Sequence, residues 1–467
     1  MTSRWPRATF RDPAGSLSFE EDRVIRRIGR SSREGVLDFL ASPFCVAMQQ
    51  GGDLIGAEIL DADGGDSSGE LCLRHPKIAV PTYPWEWTPS QWLAAAELTL
   101  ELCERALADG WILKDATPLN VLFVGSRPIF VDILSFERRD PHSSIWLAYG
   151  QYIRTFLLPL LMSRMMSWPL GLSVLHRDGY EPADCYAALG WSRRLGRDAF
   201  WPITLPALLD RRKGGEAPAK KRPARVADPE ITASVLRRTL KDLRKRTRRA
   251  VAGDAAAESE WSRYQGTLTH YTAEESAEKL EWVRTVLGEV QPKRVLDVGA
   301  NTGEYSALAA SAGAEVVALE RDAASADRVF RMARDRGLRI DTIHADLARP
   351  TPAVGWENAE SMTLLGRLEG QFELVMLLAV IHHLVLMEQI PLAAIVELCA
   401  RMTLRYLVIE WVPVSDPMYQ SLMRGRDLLY GALSEDDLIA ACVGRFEVVR
   451  RHALGNGRVL FLFEKVG

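Results

Sequence analysis

At 467 residues the chain is longer than one hydrophobic core usually serves, so two domains are expected. Hydrophobic residues at 47% and charged residues at 25% give the balance of a globular protein, and a formal net charge of −3 excludes overall attraction to nucleic acid or an anionic membrane. The six cysteines (45, 72, 103, 185, 399 and 442) show no C-x-x-C spacing, which argues against a zinc site or disulfide framework and fits a reducing cytoplasm.

The first residues, Met1-Thr-Ser-Arg-Trp-Pro6, lack the apolar core of a signal peptide. Between Tyr83 and Trp92 stand three tryptophans and two prolines, expected to pack as a crossing between lobes, with Ser90 capping a helix from 90 to 109. Next come Gly110-Trp-Ile-Leu-Lys-Asp115-Ala-Thr-Pro-Leu-Asn120-Val-Leu-Phe123 and then Pro128-Ile-Phe-Val-Asp132. The most apolar stretches of the chain, Phe156 to Met162 and Leu374 to Ile381, are too short to span a bilayer, so no membrane span is expected.

An acid five residues before an asparagine, a β-rich run and a second acid ending the next strand resemble the core of aminoglycoside-phosphotransferase-like kinases. The resemblance implies an α+β domain in which Asp115 is the base while Asn120 and Asp132 hold magnesium for ATP. The apolar 147–166 segment suits its helical lobe. This chain departs from the pattern: Leu113 stands at the family's histidine, and Ile133-Leu134 replace the usual Phe-Gly. Residues 1–90 offer only Gly51-Gly52 and Lys77 in place of a phosphate loop and strand lysine. A degenerate domain serving for docking is therefore expected ahead of an ATP- and magnesium-using one. The bland alternative is that Asp115 and Asn120 fix a loop by bonding to its backbone.

Composition shifts at 211–258. Pro and Gly interrupt regular structure from Gly214 to Pro223, and segment 211–249 holds 15 Lys/Arg against four Asp/Glu. Apolar residues at 231, 235, 236, 240 and 243 predict an amphipathic helix over 231–251 with a basic outer face. Nucleic acid would bind, if at all, through this helix. A solvated connector lying on an acidic surface of its own protein is preferred. The expected division is thus 1–210, a linker with basic helix at 211–258, and 259–467.

The last segment alternates. Helices are expected at 273–288, 303–312, 322–336, 358–366 and 388–402, each followed by a strand, at 294–298, 315–319, 339–344, 372–378 and 405–410. Such alternation builds a parallel sheet with right-handed crossovers. The ending differs, because two β-rich runs, 446–454 and 458–464, flank Gly455-Asn-Gly457 and predict an antiparallel hairpin. The turn after the first strand reads Val295-Leu-Asp-Val-Gly-Ala-Asn-Thr-Gly303, and Glu320 ends the next strand 21 residues after Gly299. Asn at 301 and Glu at 304 break the G-x-G-x-x-G dinucleotide fingerprint. A third acid, Asp346, closes the third strand.

The order acid, glycine turn, acid, acid resembles the class I S-adenosylmethionine-dependent methyltransferases over about residues 261–467. The resemblance implies a doubly wound, Rossmann-like α/β domain, a seven-stranded sheet ending in an antiparallel hairpin. It implies that Asp297, Gly299, Asn301 and Gly303 cradle the methionine part, Glu320 the ribose, and Asp346 with Leu347 the adenine. Ala300, Arg321 and Leu378 complete the expected cofactor-binding set, and no metal is required. At the end of the fourth strand, His382 or His383 has the pKa range of a general base. Glu410, ending the fifth strand, would orient an amine or hydroxyl, or pair with Arg424 or Arg426. Tyr264 and Tyr271 are candidates to lid the cofactor, and Asn358 to lie near the adenine. The expected activity is methyl transfer to an O or N acceptor of a small-molecule or carrier-linked substrate, leaving S-adenosylhomocysteine. A bifunctional kinase–methyltransferase and a non-catalytic cofactor-binding scaffold are the alternatives.

Overall fold

The computed structural model describes residues 12–20, 22–60, 69–176, 178–212, 228–252, 271–423 and 425–466. The 214–223 stretch, Tyr264 and Arg424 lie outside them. The chain forms two compact units, one of residues 1–123 and 127–257, the other of residues 258–467 with 124–126.

In the first unit, β1 (Gly15–Phe19), β2 (Arg23–Ile28), β3 (Glu58–Leu60) and β4 (Leu71–Pro76) make an antiparallel sheet in the order β1-β2-β4-β3. Two small ribbons pair β5 (Trp111–Leu113) with β8 (Phe136–Arg138) and β6 (Val121–Val124) with β7 (Arg127–Phe130). The helix Pro89–Ala106 is central, burying Trp92, Leu98, Leu100 and Leu102. Its cap is Thr88 rather than the expected Ser90. The Thr88 hydroxyl accepts from Gln91 N at 3.3 Å while the Gln91 side chain accepts from Thr88 N at 3.0 Å, a reciprocal box that a serine inside the helix cannot make. Trp87 and Trp92 are almost wholly buried and meet edge-to-face, and Trp87 Nε1 donates to Thr82 Oγ1 at 3.0 Å.

The helix Pro229–Val251 packs within the same unit, burying Thr232, Ala233, Leu236, Leu240, Leu243, Thr247 and Ala250. The buried stripe is rotated from the expected one, because Ile231 and Val235 are exposed. Threonines join it by hydrogen bonding: Thr232 Oγ1 donates to Pro141 O at 2.6 Å, and Thr247 meets the buried Tyr152 hydroxyl at 2.9 Å. Acids of the same unit neutralise part of the basic face. Arg248 pairs with Glu97, Arg244 with Glu104 at 2.9 Å, and Arg249 with Asp198 at 3.6 Å.

In the second unit the parallel strands β9 (Arg294–Val298), β10 (Glu315–Glu320), β11 (Ile340–His344), β12 (Phe372–Leu377) and β13 (Thr403–Trp411) are joined by β14 (Phe446–Ala453) and β15 (Val459–Lys465). The order is β11-β10-β9-β12-β13-β15-β14, with β15 antiparallel to both of its neighbours. This is the seven-stranded sheet with a reversed final pair expected from the sequence. Strands buried on both faces need apolar runs, which is why β9, β10 and β12 are mostly apolar. The helix Ala273–Val290, opened by a Thr272/Glu275 capping box, lays Trp282, Val283, Val286 and Leu287 against this core. Among the described residues no helix is long and apolar enough to cross a membrane.

Two expected elements shift. The fourth strand stops at Leu377, and Ala379, at φ +58°, turns the chain into a short helix, Ile381–Leu386. Both histidines therefore stand on a helix rather than at a strand end. The expected 358–366 helix is a one-turn 3₁₀ segment, Trp356–Asn358, followed by Leu364–Leu368, capped by Thr363.

Candidate cofactor and active site

The turn after β9 is held by its own backbone. Gly299 N and Ala300 N donate to Leu319 O at 2.8 and 3.2 Å, and Gly303 N donates to Ala300 O at 2.8 Å. Gly299, Asn301 and Gly303 have φ of +69°, +50° and +86°, a region that glycine enters freely and asparagine tolerates. The helix Glu304–Ser311 starts directly after, so its positive end faces the same place.

Three acids line the C-terminal ends of three neighbouring strands. Asp297, 2% exposed on β9, accepts from Ser306 Oγ at 2.6 Å, and burial nevertheless pushes its carboxyl up to about 6. Glu320 ends β10. Its Oε2 accepts from Asn301 N and its Oε1 from Asp322 N, each at 2.7 Å. Burial raises its pKa against those two bonds. Asp346 stands two residues beyond β11 rather than on it, accepting from Ala348 N at 2.9 Å and from Arg349 at 3.1 Å. Arg349 and Arg321 both reach Glu388, at 2.5 and 3.4 Å. Ala300, Leu347 and Leu378 are buried.

His382 is 4% exposed, and its ring centroid lies 4.2 Å from that of His383. Burial, then the charges of Arg321 and Arg458, lower His383 to about 4, which keeps its imidazole neutral at physiological pH.

Glu410 has no solvent exposure and lies in a cluster that sequence reasoning missed. Lys279 Nζ is 2.6 Å from its Oε2 and Arg458 is 3.2 Å from its Oε1. The Tyr271 hydroxyl also donates to it. Arg458 further bonds Asp416 at 2.8 Å and the Tyr271 oxygen at 2.7 Å. Burial alone would push Glu410 up, but Lys279 and Arg458 outweigh it and hold the carboxyl below its ordinary value. A carboxylate gripped this way is a poor proton acceptor. The arginine expected beside it, Arg426, instead bonds the carbonyls of Leu422 and Met423. No sequence pattern marks partners 42 to 187 positions apart.

In the first unit, Asp115 accepts from the Gln151 amide, and Asn120 Nδ2 donates to Ser135 Oγ at 3.0 Å. Asp132 accepts from Ser135 Oγ at 2.5 Å and is ion-paired with Arg26 of β2 at 2.9 Å. Arg26 is 6% exposed, so a buried guanidinium already neutralises the acid that the kinase resemblance assigns to magnesium.

No protein-family model matches the chain. Over 473 residues it is 28% identical to the nodulation protein NoeA of Rhizobium meliloti (strain 1021), covering 98% of this chain and 95% of that protein. Over 105 residues it is 30% identical to the ubiquinone biosynthesis O-methyltransferase of Bordetella avium (strain 197N), covering 22% of this chain and 38% of that one. Among solved structures it is similar to magnesium protoporphyrin IX methyltransferase from Synechocystis PCC 6803 with bound SAH. There the TM-score is 0.32 and the identity 17%, over 44% of this chain and 93% of that one.

Proposed function

We propose that the second unit is an S-adenosylmethionine-dependent methyltransferase acting on an oxygen or nitrogen of a small or carrier-linked acceptor. The observation that carries this reading is the row of Asp297, Glu320 and Asp346 beside a left-handed glycine turn at the C-terminal ends of neighbouring parallel strands. The local likeness to an O-methyltransferase agrees with it.

Asp297 would face the ammonium and sulfonium charges of the cofactor. Glu320, its oxygens steadied by Asn301 N and Asp322 N, keeps lone pairs for two hydroxyls. Asp346 would accept from the adenine amino group, with Leu347 and Leu378 flanking the ring and Arg349 moving aside. When bound, the cofactor supplies an electrophilic methyl group. The protein's work is alignment and water exclusion, which in favourable systems contribute about 7–11 kcal/mol. His383, kept neutral by burial, takes the proton from the acceptor. The first unit recognises the acceptor or a partner. Its Asp132 is committed to Arg26, which favours docking over phosphoryl transfer.

The test is calorimetric titration with S-adenosylmethionine across pH. Asp297 loses its negative charge as pH falls through about 6, and with it the attraction for a cationic ligand. Wild-type affinity should therefore rise about tenfold from pH 5 to pH 7. Asp297→Asn should bind weakly with a flat profile. Absence of binding, or a pH-independent affinity in the wild type, would sink the reading.

The acceptor can be found by incubating protein, labelled cofactor and cell extract and following the label by mass spectrometry. With that acceptor, His383→Ala should lower turnover by about 10²-fold or more and leave cofactor affinity within twofold. Wild-type turnover in this variant would remove His383 from the chemistry.

A further inference from the structure

We propose that Lys279 is the cation that receives the carboxylate of the cofactor's amino-acid part, with Glu410 as the fixed counter-ion that holds its ammonium in place. The inference rests on the S-adenosylmethionine reading above.

Lysine is seldom buried, because its ammonium loses hydration and its stem loses rotamer freedom. Lys279 is nonetheless 4% exposed, on the second turn of the helix Ala273–Val290. Its Nζ lies 2.6 Å from Glu410 Oε2 and 4.8 and 5.1 Å from the ring centroids of Tyr305 and Tyr271. Tyr305 follows Gly303 by two residues, so the ammonium lies beside the glycine turn, within electrostatic reach of Asp297. That is the amino-acid end of the row; Glu320 marks the sugar end.

The donor arithmetic leaves room for a ligand. An ammonium carries three N–H donors. Among the described residues, Lys279 meets the Glu410 carboxylate and, at 3.5 Å, the Tyr271 oxygen. Glu410 by contrast is oversupplied, since Arg458 and the Tyr271 hydroxyl reach its other oxygen. Arg458 is in turn shared with Asp416. A second carboxylate on Lys279 would complete the ammonium without stripping Glu410 of its partners. Asp297 would then take the amino group, so the two ends of the zwitterion meet opposite charges.

The test compares two probes by calorimetry at pH 7.5: S-adenosylhomocysteine, and 5′-methylthioadenosine, which keeps adenosine and sulfur but lacks the amino-acid carboxylate and ammonium. Lys279→Met should weaken S-adenosylhomocysteine about tenfold or more, the loss of one charge-assisted contact, and leave methylthioadenosine within twofold. Lys279→Met/Glu410→Gln, which leaves no unpaired member of the pair, should behave alike and serves should the single variant not fold. Equal weakening of both probes would assign Lys279 to packing alone, and unchanged S-adenosylhomocysteine affinity would also overturn the proposal. Failure of the wild type to bind either probe would instead count against the cofactor reading.

Discussion

Replacing Gly299 with valine should abolish S-adenosylmethionine binding and also lower stability. Gly299 has φ +69°, and a Cβ there would stand 2.6 Å from Val380 Cγ2. A β-branched residue in the left-handed region costs about 1–3 kcal/mol before any clash is relieved. Val380 is the residue at the entry to the Ile381–Leu386 helix, which carries both histidines, so relieving the clash acts next to them. The turn and the acceptor side of the site should thus be disturbed together. Titration should give no measurable heat, and urea unfolding should show a stability loss of about 2–4 kcal/mol. Wild-type affinity in a folded Gly299→Val protein would show that the turn does not contact the cofactor.

The largest stability loss is expected for Glu410→Ala. Its carboxylate is the shared partner of two cations that are themselves 5% and 3% exposed at the side chain, Lys279 and Arg458. Removing it leaves like charges buried together with only Asp416 to answer them, and breaking such a pair costs about 3–5 kcal/mol. Denaturant unfolding measures this directly. Lys279→Met/Glu410→Gln should recover part of the loss, because no cation is then left without its acid. A Glu410→Ala protein of unchanged stability would contradict the cluster's geometry.

The parallel strands were legible because burial on both faces forces apolar runs of the right length between helical stretches. The reversed hairpin was legible because Gly455 and Gly457 bracket a turn. The acids at the strand ends could be placed because the turn at Gly299 fixes the register. The histidine helix was not legible. Val380-Ile-His-His-Leu-Val-Leu386 is a short apolar run that reads equally as strand or helix, and left-handed Ala379 decides between them. The ion cluster was hidden for another reason. Tyr271, Lys279, Glu410, Asp416 and Arg458 come from separate elements, and local periodicity says nothing about long-range charge pairing. Arg26 was hidden likewise, because the cation that meets Asp132 is an arginine 106 residues earlier rather than a strand lysine.

The placement of β15 between β13 and β14 bears on how the protein is made. The strand synthesised after all others of its sheet occupies an interior position, pairing with β13 from Tyr406 to Trp411. While the chain is still emerging from the ribosome, the β13 edge has open backbone donors and acceptors, an invitation to strand-to-strand association. Arg458, one residue before β15, arrives at the same late moment, so the buried charge around Glu410 is balanced only once translation has passed that point. A nascent chain halted before residue 458 should accordingly depend on chaperones.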